Sequence, residues 1–359
     1  MPEISENISQ ARDLKSDYKK LCLRLGIMII VIFVSRGISA ILLSLLKPAL
    51  DTLGETGAYL VQTAFSLAFL YFIPMMATKL LLKTNLGEMN RSVYKKPKYF
   101  GSALGMFPAF YSLAILMNLL TMWITSFFRD SNFNDNFNTV NELSAPNLAC
   151  GIVLFIQMVV IAPLFEEFWF RGMVMESMRP YGNGVAIFIS AFLFGLTHAN
   201  FAQFFYAMLM GIFLGYIAVS TRSIVTTTII HAIFNSLSAT LLLLLTDKSV
   251  REFMILSQKG IMGEFTPAVT AYFVMTAIML LTAAVGLIMA IFKLVKIKKY
   301  KVPVVQTQLS AEKRWAIFFT SATVLIGLAL AADCFTVRFI PTQIYKLLNN
   351  IFRVFGGII

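Results

Sequence analysis

One apolar run of this chain carries charge inside it, reading Phe165-Glu166-Glu167-Phe168-Trp169-Phe170-Arg171. An ionisable side chain placed in hydrocarbon costs about 2.5–3.5 kcal/mol on insertion scales, so three together need a reason. Glu167 and Arg171 stand four residues apart, share a helix face and can pair. Glu166 lies about 100° round the same helix and is free to face something else. Pro163, just upstream, removes a backbone donor and can kink the helix beside these groups. The chain's 2 histidines occupy other apolar runs, Phe194-Gly195-Leu196-Thr197-His198 and His231-Ala232-Ile233-Phe234-Asn235. His231 and Asn235 are one helical turn apart and point the same way.

These residue types suggest peptide hydrolysis. A carboxylate takes a proton from water if the water is held and the carboxylate stays ionised. Neutral His and Asn can donate hydrogen bonds to an oxyanion forming on the attacked carbonyl. Glu166 is therefore the expected general base, with His198 positioning the same water. His231 and Asn235 are the expected oxyanion donors, and Glu167 and Arg171 fix the helix and balance its charge. Plainer readings stand beside these: a structural ion pair for Glu167 and Arg171, and an interhelical hydrogen bond for His231 or Asn235. A zinc site also remains open, since Glu166, His198 and His231 are ligand types that zinc accepts. Against it, the chain has no His-Glu-x-x-His motif and Arg171 stands close by.

The elements that carry these groups are expected to be membrane-spanning helices. The 359 residues are 58% hydrophobic and 13% charged, with a mean hydropathy of +0.77, far more apolar than a soluble domain. The apolar segments are long and continuous rather than alternating, which favours helices over a barrel. The expected fold is all-α, a polytopic transmembrane helix bundle of about eight or nine spans. The fifth segment, near Val185–His198, is short, and is expected to be tilted, broken or paired as a hairpin with the sixth. Measured from the cytoplasmic ends of their spans, Glu166 lies about 18 Å deep, His198 about 21 Å, His231 about 10 Å and Asn235 about 17 Å. One cavity near the membrane middle can therefore collect all four.

The net charge is +12. The basic residues lie between apolar runs: Lys15, Lys19 and Lys20; Lys83, Arg91, Lys95, Lys96 and Lys98; Lys293, Lys296, Lys298, Lys299 and Lys301. The intervening loops hold Asp51 and Glu55, then Asp130, Asp135 and Glu142. This alternation follows the positive-inside rule with a cytoplasmic N-terminus, and argues against nucleic acid as the partner. The expected organisation is a cytoplasmic arm (1–21), a three-span unit (22–128), a catalytic core (148–245), and C-terminal spans with a tail (268–359). An external Asn-, Ser- and Asp-rich loop, 129–147, separates the three-span unit from the core. Cys22, Cys150 and Cys334 show no metal-ligand spacing. Gly211 and Gly215 form a small-xxx-small pattern that reads as helix packing. Arg36 lies deep in the first span with no evident partner.

Taken together, Glu-Glu-x-x-x-Arg (Glu166, Glu167, Arg171), Phe-x-x-x-His (Phe194, His198) and His-x-x-x-Asn (His231, Asn235) lie in order on successive apolar helices. They resemble the CAAX prenyl protease and bacteriocin-processing family, the type II CAAX endopeptidases and bacterial self-immunity proteins also called Abi. The resemblance covers about Leu148 to Leu245. It implies Glu166 as catalytic base of an intramembrane glutamic endopeptidase that uses no metal or other cofactor. It also implies a partner that is a peptide or protein substrate, lipidated or free, met in the lipid bilayer. The polar arm, short loops and composition suggest a bacterial cell membrane. A non-catalytic immunity or scaffold protein is the alternative. A proton-coupled transporter lacks its expected inverted repeat.

Overall fold

The computed structural model describes residues 2–83, 100–126, 145–199, 201–294 and 309–336. Most of the basic residues after the second and eighth segments, most of the expected external loop, and the tail beyond 336 lie outside the described residues. Within them, every extended element is a helix: α1 (Pro2–Asp51), α2 (Gly54–Leu82), α3 (Phe107–Ser126), α4 (Leu148–Tyr181), α5 (Asn183–Thr197) and α6 (Phe201–Thr221). Then come α7 (Ile224–Leu244), α8 (Lys248–Gln258), α9 (Pro267–Leu294), α10 (Ala311–Phe319) and α11 (Ala322–Thr336).

Among the described residues, 7 helices are long and apolar enough to cross a membrane: α1 to α4, α6, α7 and α9. The bundle thus matches the expected fold class, and two features set the span number. First, α5 has 15 residues, about 22 Å of helix against a hydrocarbon core of about 30 Å. Second, α10 and α11 meet at a 61° bend and make at most one span, for a total of up to 8.

The short α5 is an interior helix. A turn through Arg179–Tyr181 and Gly182, whose φ is 122°, reverses the chain from α4 into α5. Glycine takes this conformation without steric cost. The helix then lies against α6 as a hairpin. A methyl group on Gly211 would stand 2.9 Å from Ala191, and one on Gly215 would stand 3.1 Å from Ile187. The small-xxx-small pattern is therefore where two backbones approach. Outside the bundle, apolar side chains such as Leu80, Leu281 and Phe292 are largely exposed, the surface a bilayer covers.

Two helices are irregular where they cross the bundle. In α2, residues Leu67–Phe72 form a wide π-type stretch ending at Pro74, and in α4 residues Gln157–Ile161 form another ending at Pro163. Widened turns of this kind concentrate at functional sites. In α4 the Ala162 N–H bonds the Gln157 carbonyl five residues back, so the Met158 carbonyl loses that donor. Its next candidate is Pro163, which has no N–H. The Asn235 amide from α7 fills the gap, donating to the Met158 carbonyl at 2.8 Å.

Candidate active site

The segment Glu167–Met175 continues α4 with wide turns. It sets Glu167 and Arg171 at 3.0 Å (Oε1 to Nη1), both side chains fully enclosed. Arg171 also donates to the Gly211 carbonyl at 3.2 Å and lies over the Phe194 ring, 4.7 Å from its centroid. The guanidinium thus ties α4 to α5 and α6. The carbonyl and the ring supply two further partners for the buried pair, while Glu167 Oε2 and Arg171 Nε have no hydrogen-bond partner among the described residues.

His231 enters from α7 between the two glutamates. Its Nδ1 donates to Glu167 Oε1 at 2.9 Å, and its Nε2 faces Glu166 Oε2 at 3.6 Å. Adjacent carboxylates of α4 therefore meet opposite edges of one imidazole. Glu167 is already committed to Arg171 and His231. Glu166 keeps an open side, and its other oxygen accepts from the Tyr71 hydroxyl of α2 at 3.0 Å.

His198 closes α5. Its Nδ1 lies 3.0 Å from the Phe194 carbonyl. A carbonyl oxygen only accepts, so in the neutral ring Nδ1 carries the hydrogen and Nε2 keeps its lone pair. Phe194 stands edge-on to both imidazoles, with centroids 5.0 Å from His198 and 5.8 Å from His231. It is the spacer that holds the two rings apart.

Glu166, Phe194, His198, His231 and Asn235 all line one cavity of about 410 Å³ between α2, α3, α4, α5, α6, α7 and α9. Glu167 and Arg171 do not line it, and support it from behind. Among the described residues, no group of three or more His, Cys, Asp or Glu side chains is placed to hold a metal ion. The triad of the zinc reading does not close into a ligand set.

Two contacts were not readable from spacing. Tyr71 gave only the signal of a single hydroxyl in an apolar span, three residues before Pro74. Arg36, which had no evident partner in the sequence, donates to the Thr197 carbonyl at 2.7 Å. It therefore grips the end of α5 beside His198. Both come from the N-terminal spans.

The comparisons bear on the same stretch. Residues 148–237 match the family model described as type II CAAX prenyl endopeptidase Rce1-like. Neither the curated proteins nor the solved structures contain a match to the chain. The matched residues run from the start of α4 into α7 and include Glu166, Glu167, Arg171, His198, His231 and Asn235. Over these residues, about a quarter of its length, the chain is similar to a family of prenyl endopeptidases.

Proposed function

We propose that the protein hydrolyses a peptide bond within the membrane with Glu166 as general base and no metal. The observation that carries this reading is the pair of acceptors at the cavity wall, the open side of the Glu166 carboxylate and the bare Nε2 of His198. A water between them gives one hydrogen to each and turns its lone pair towards the cavity. As its oxygen bonds the carbonyl carbon, Glu166 takes one proton. When the C–N bond breaks, that proton passes to the leaving nitrogen.

The oxyanion in between needs donors. Asn235 offers the second hydrogen of its amide, the first being held by Met158. His231 is the second donor in this reading, with Nε2 on the cavity side, 3.6 Å from Glu166 Oε2. Glu167 and Arg171 position the base-bearing turn. The substrate is a peptide or membrane-associated protein, lipidated or free. The basic loops set the N-terminus on the cytoplasmic side of a cell membrane.

The test is a comparison of membrane and secreted peptide termini by mass spectrometry, in cells with wild type or Glu166→Gln at equal expression. Removing a general base lowers rates by about 10²–10⁴, so termini made by the wild type are expected to vanish in the variant. Identical termini from a folded variant would move the reading to a non-catalytic immunity or scaffold role.

A further inference from the structure

The cavity has a wall that the chemistry above leaves unused. Tyr111, Ala114, Ile115 and Asn118 of α3 all line it, at the spacing of one helix face. Tyr111 is only 2% exposed, and its hydroxyl has no hydrogen-bond partner among the described residues. The ring stacks on Phe107 with centroids 5.7 Å apart, and meets Phe234 edge-on at 5.6 Å. Phe234 precedes Asn235 on α7, and Tyr111, Phe234 and Asn235 all line the cavity. Buried hydroxyls find a partner as a rule, and an unpartnered one on a cavity-lining residue is available to something that enters.

An entering peptide has the complementary need. To present a carbonyl to attack it must be extended, and an extended backbone carries N–H and C=O groups that need partners once out of water. Tyr111 and Asn118 are about 10 Å apart along α3, the length of about three extended residues. We infer that α3 is the substrate-docking wall of the cavity, with the Tyr111 hydroxyl and the Asn118 amide pairing with the backbone of an extended peptide. The inference rests on the hydrolytic reading and adds what that reading lacks, the element that holds the peptide. Because α3 lies outside the matched residues 148–237, substrate choice here is set by a part of the chain that the family match does not include.

The test uses the full chain in detergent and two fluorescence-quenched peptides. One ends in S-farnesyl-Cys-Val-Ile-Met, and the other is identical but has a free Cys. Losing one hydrogen bond is expected to raise KM about tenfold in Tyr111→Phe and in Asn118→Leu. Turnover at saturation stays within about twofold, because neither residue touches the reacting atoms. Glu166→Gln abolishes cleavage in the same assay. Cleavage that depends on Glu166 with KM unchanged in both α3 variants overturns the docking wall and leaves hydrolysis standing. If wild type cleaves neither peptide, hydrolysis of this substrate class falls, and anisotropy of the labelled peptides decides the wall. Weaker binding in Tyr111→Phe supports it; equal or absent binding overturns it. A thermal midpoint raised in Tyr111→Phe with binding unchanged would mark the hydroxyl as a burial burden and nothing more.

Discussion

Helices α2 and α4 share one irregularity and use it differently. In α2 the Ile73 N–H reaches back five residues to the Ala68 carbonyl. The Phe69 carbonyl is thereby stranded, since its next donor would be Pro74. Ser35 of α1 donates to it at 2.6 Å. In α4 the same step strands Met158 before Pro163, and Asn235 donates at 2.8 Å. The two caps differ in what they have left over. Ser35 spends its only hydrogen on the carbonyl and is not among the residues that line the cavity. Asn235 lines the cavity and keeps a second amide hydrogen. A wide turn closed by proline is thus a way of presenting a carbonyl to a neighbouring helix. In the proposed reaction, what sets the two helices apart is the residue that answers it.

The stretches beyond the prolines diverge further. Thr78 accepts from the Trp169 indole at 2.8 Å, a neutral bond, whereas α4 carries the enclosed Glu167–Arg171 pair. Removing one partner of a buried ion pair costs about 3–5 kcal/mol. Arg171→Leu is therefore expected to give the largest loss, seen as a collapse of the thermal midpoint in detergent. Glu167→Gln added to Arg171→Leu should recover much of it, because no lone charge then remains. Thr78→Val breaks only a neutral bond and should cost about 1–2 kcal/mol. Equal losses from Arg171→Leu and Thr78→Val would erase the contrast between the two helices.

Next in size is the separation of cap from chemistry. Ser35→Ala and Asn235→Ala each strand a carbonyl, and each should lower stability by about 0.6–2 kcal/mol. Their effects on turnover should part. Asn235→Ala removes an oxyanion donor and is expected to lower kcat about 10²-fold or more, while Ser35→Ala leaves kcat within about twofold. A comparable loss in both variants would mean that Asn235 acts only as a cap. Tyr71→Phe tests the point where α2 touches the chemistry. A hydrogen bond to a charged group is worth about 1.5–3 kcal/mol, so kcat should fall by about tenfold or more with KM unchanged, measured by steady-state kinetics. A fall in stability alone would reduce Tyr71 to packing.

The sequence made the ionisable part of the site legible because charge in an apolar span is costly and therefore conspicuous. Glu167 and Arg171 stand four residues apart, and local spacing predicts such a pair well. The contacts of His231 with both glutamates were hidden, because wide turns in α4 rotate successive side chains away from the ideal 100° step. Tyr71, Arg36 and Tyr111 were hidden for another reason. Each acts across more than 90 residues of sequence or through a ring packed by distant neighbours, and nothing local marks them. The span number, 7 or up to 8, turns on α5 and on the α10–α11 bend. Hydropathy registers apolar residues equally whether they face lipid or, as in α5, the interior of the bundle.

The smallest expected effect is also the sharpest test of the shared device. If Ser35 is needed only because Pro74 has no N–H, restoring that N–H should make it redundant. Pro74→Ala lets α2 satisfy the Phe69 carbonyl from its own backbone, and Ser35→Ala should then cost nothing further. The coupling between the two substitutions should be about 0.5–1.5 kcal/mol in a double-mutant cycle read by thermal unfolding. Pro163→Ala with Asn235→Ala should show the same coupling in stability, since the backbone logic is the same. It should show none in kcat, because an N–H regained by α4 caps Met158 but cannot place a donor in the cavity. Additive stabilities in either cycle would mean that the wide turns are set by interhelical packing and persist without their prolines.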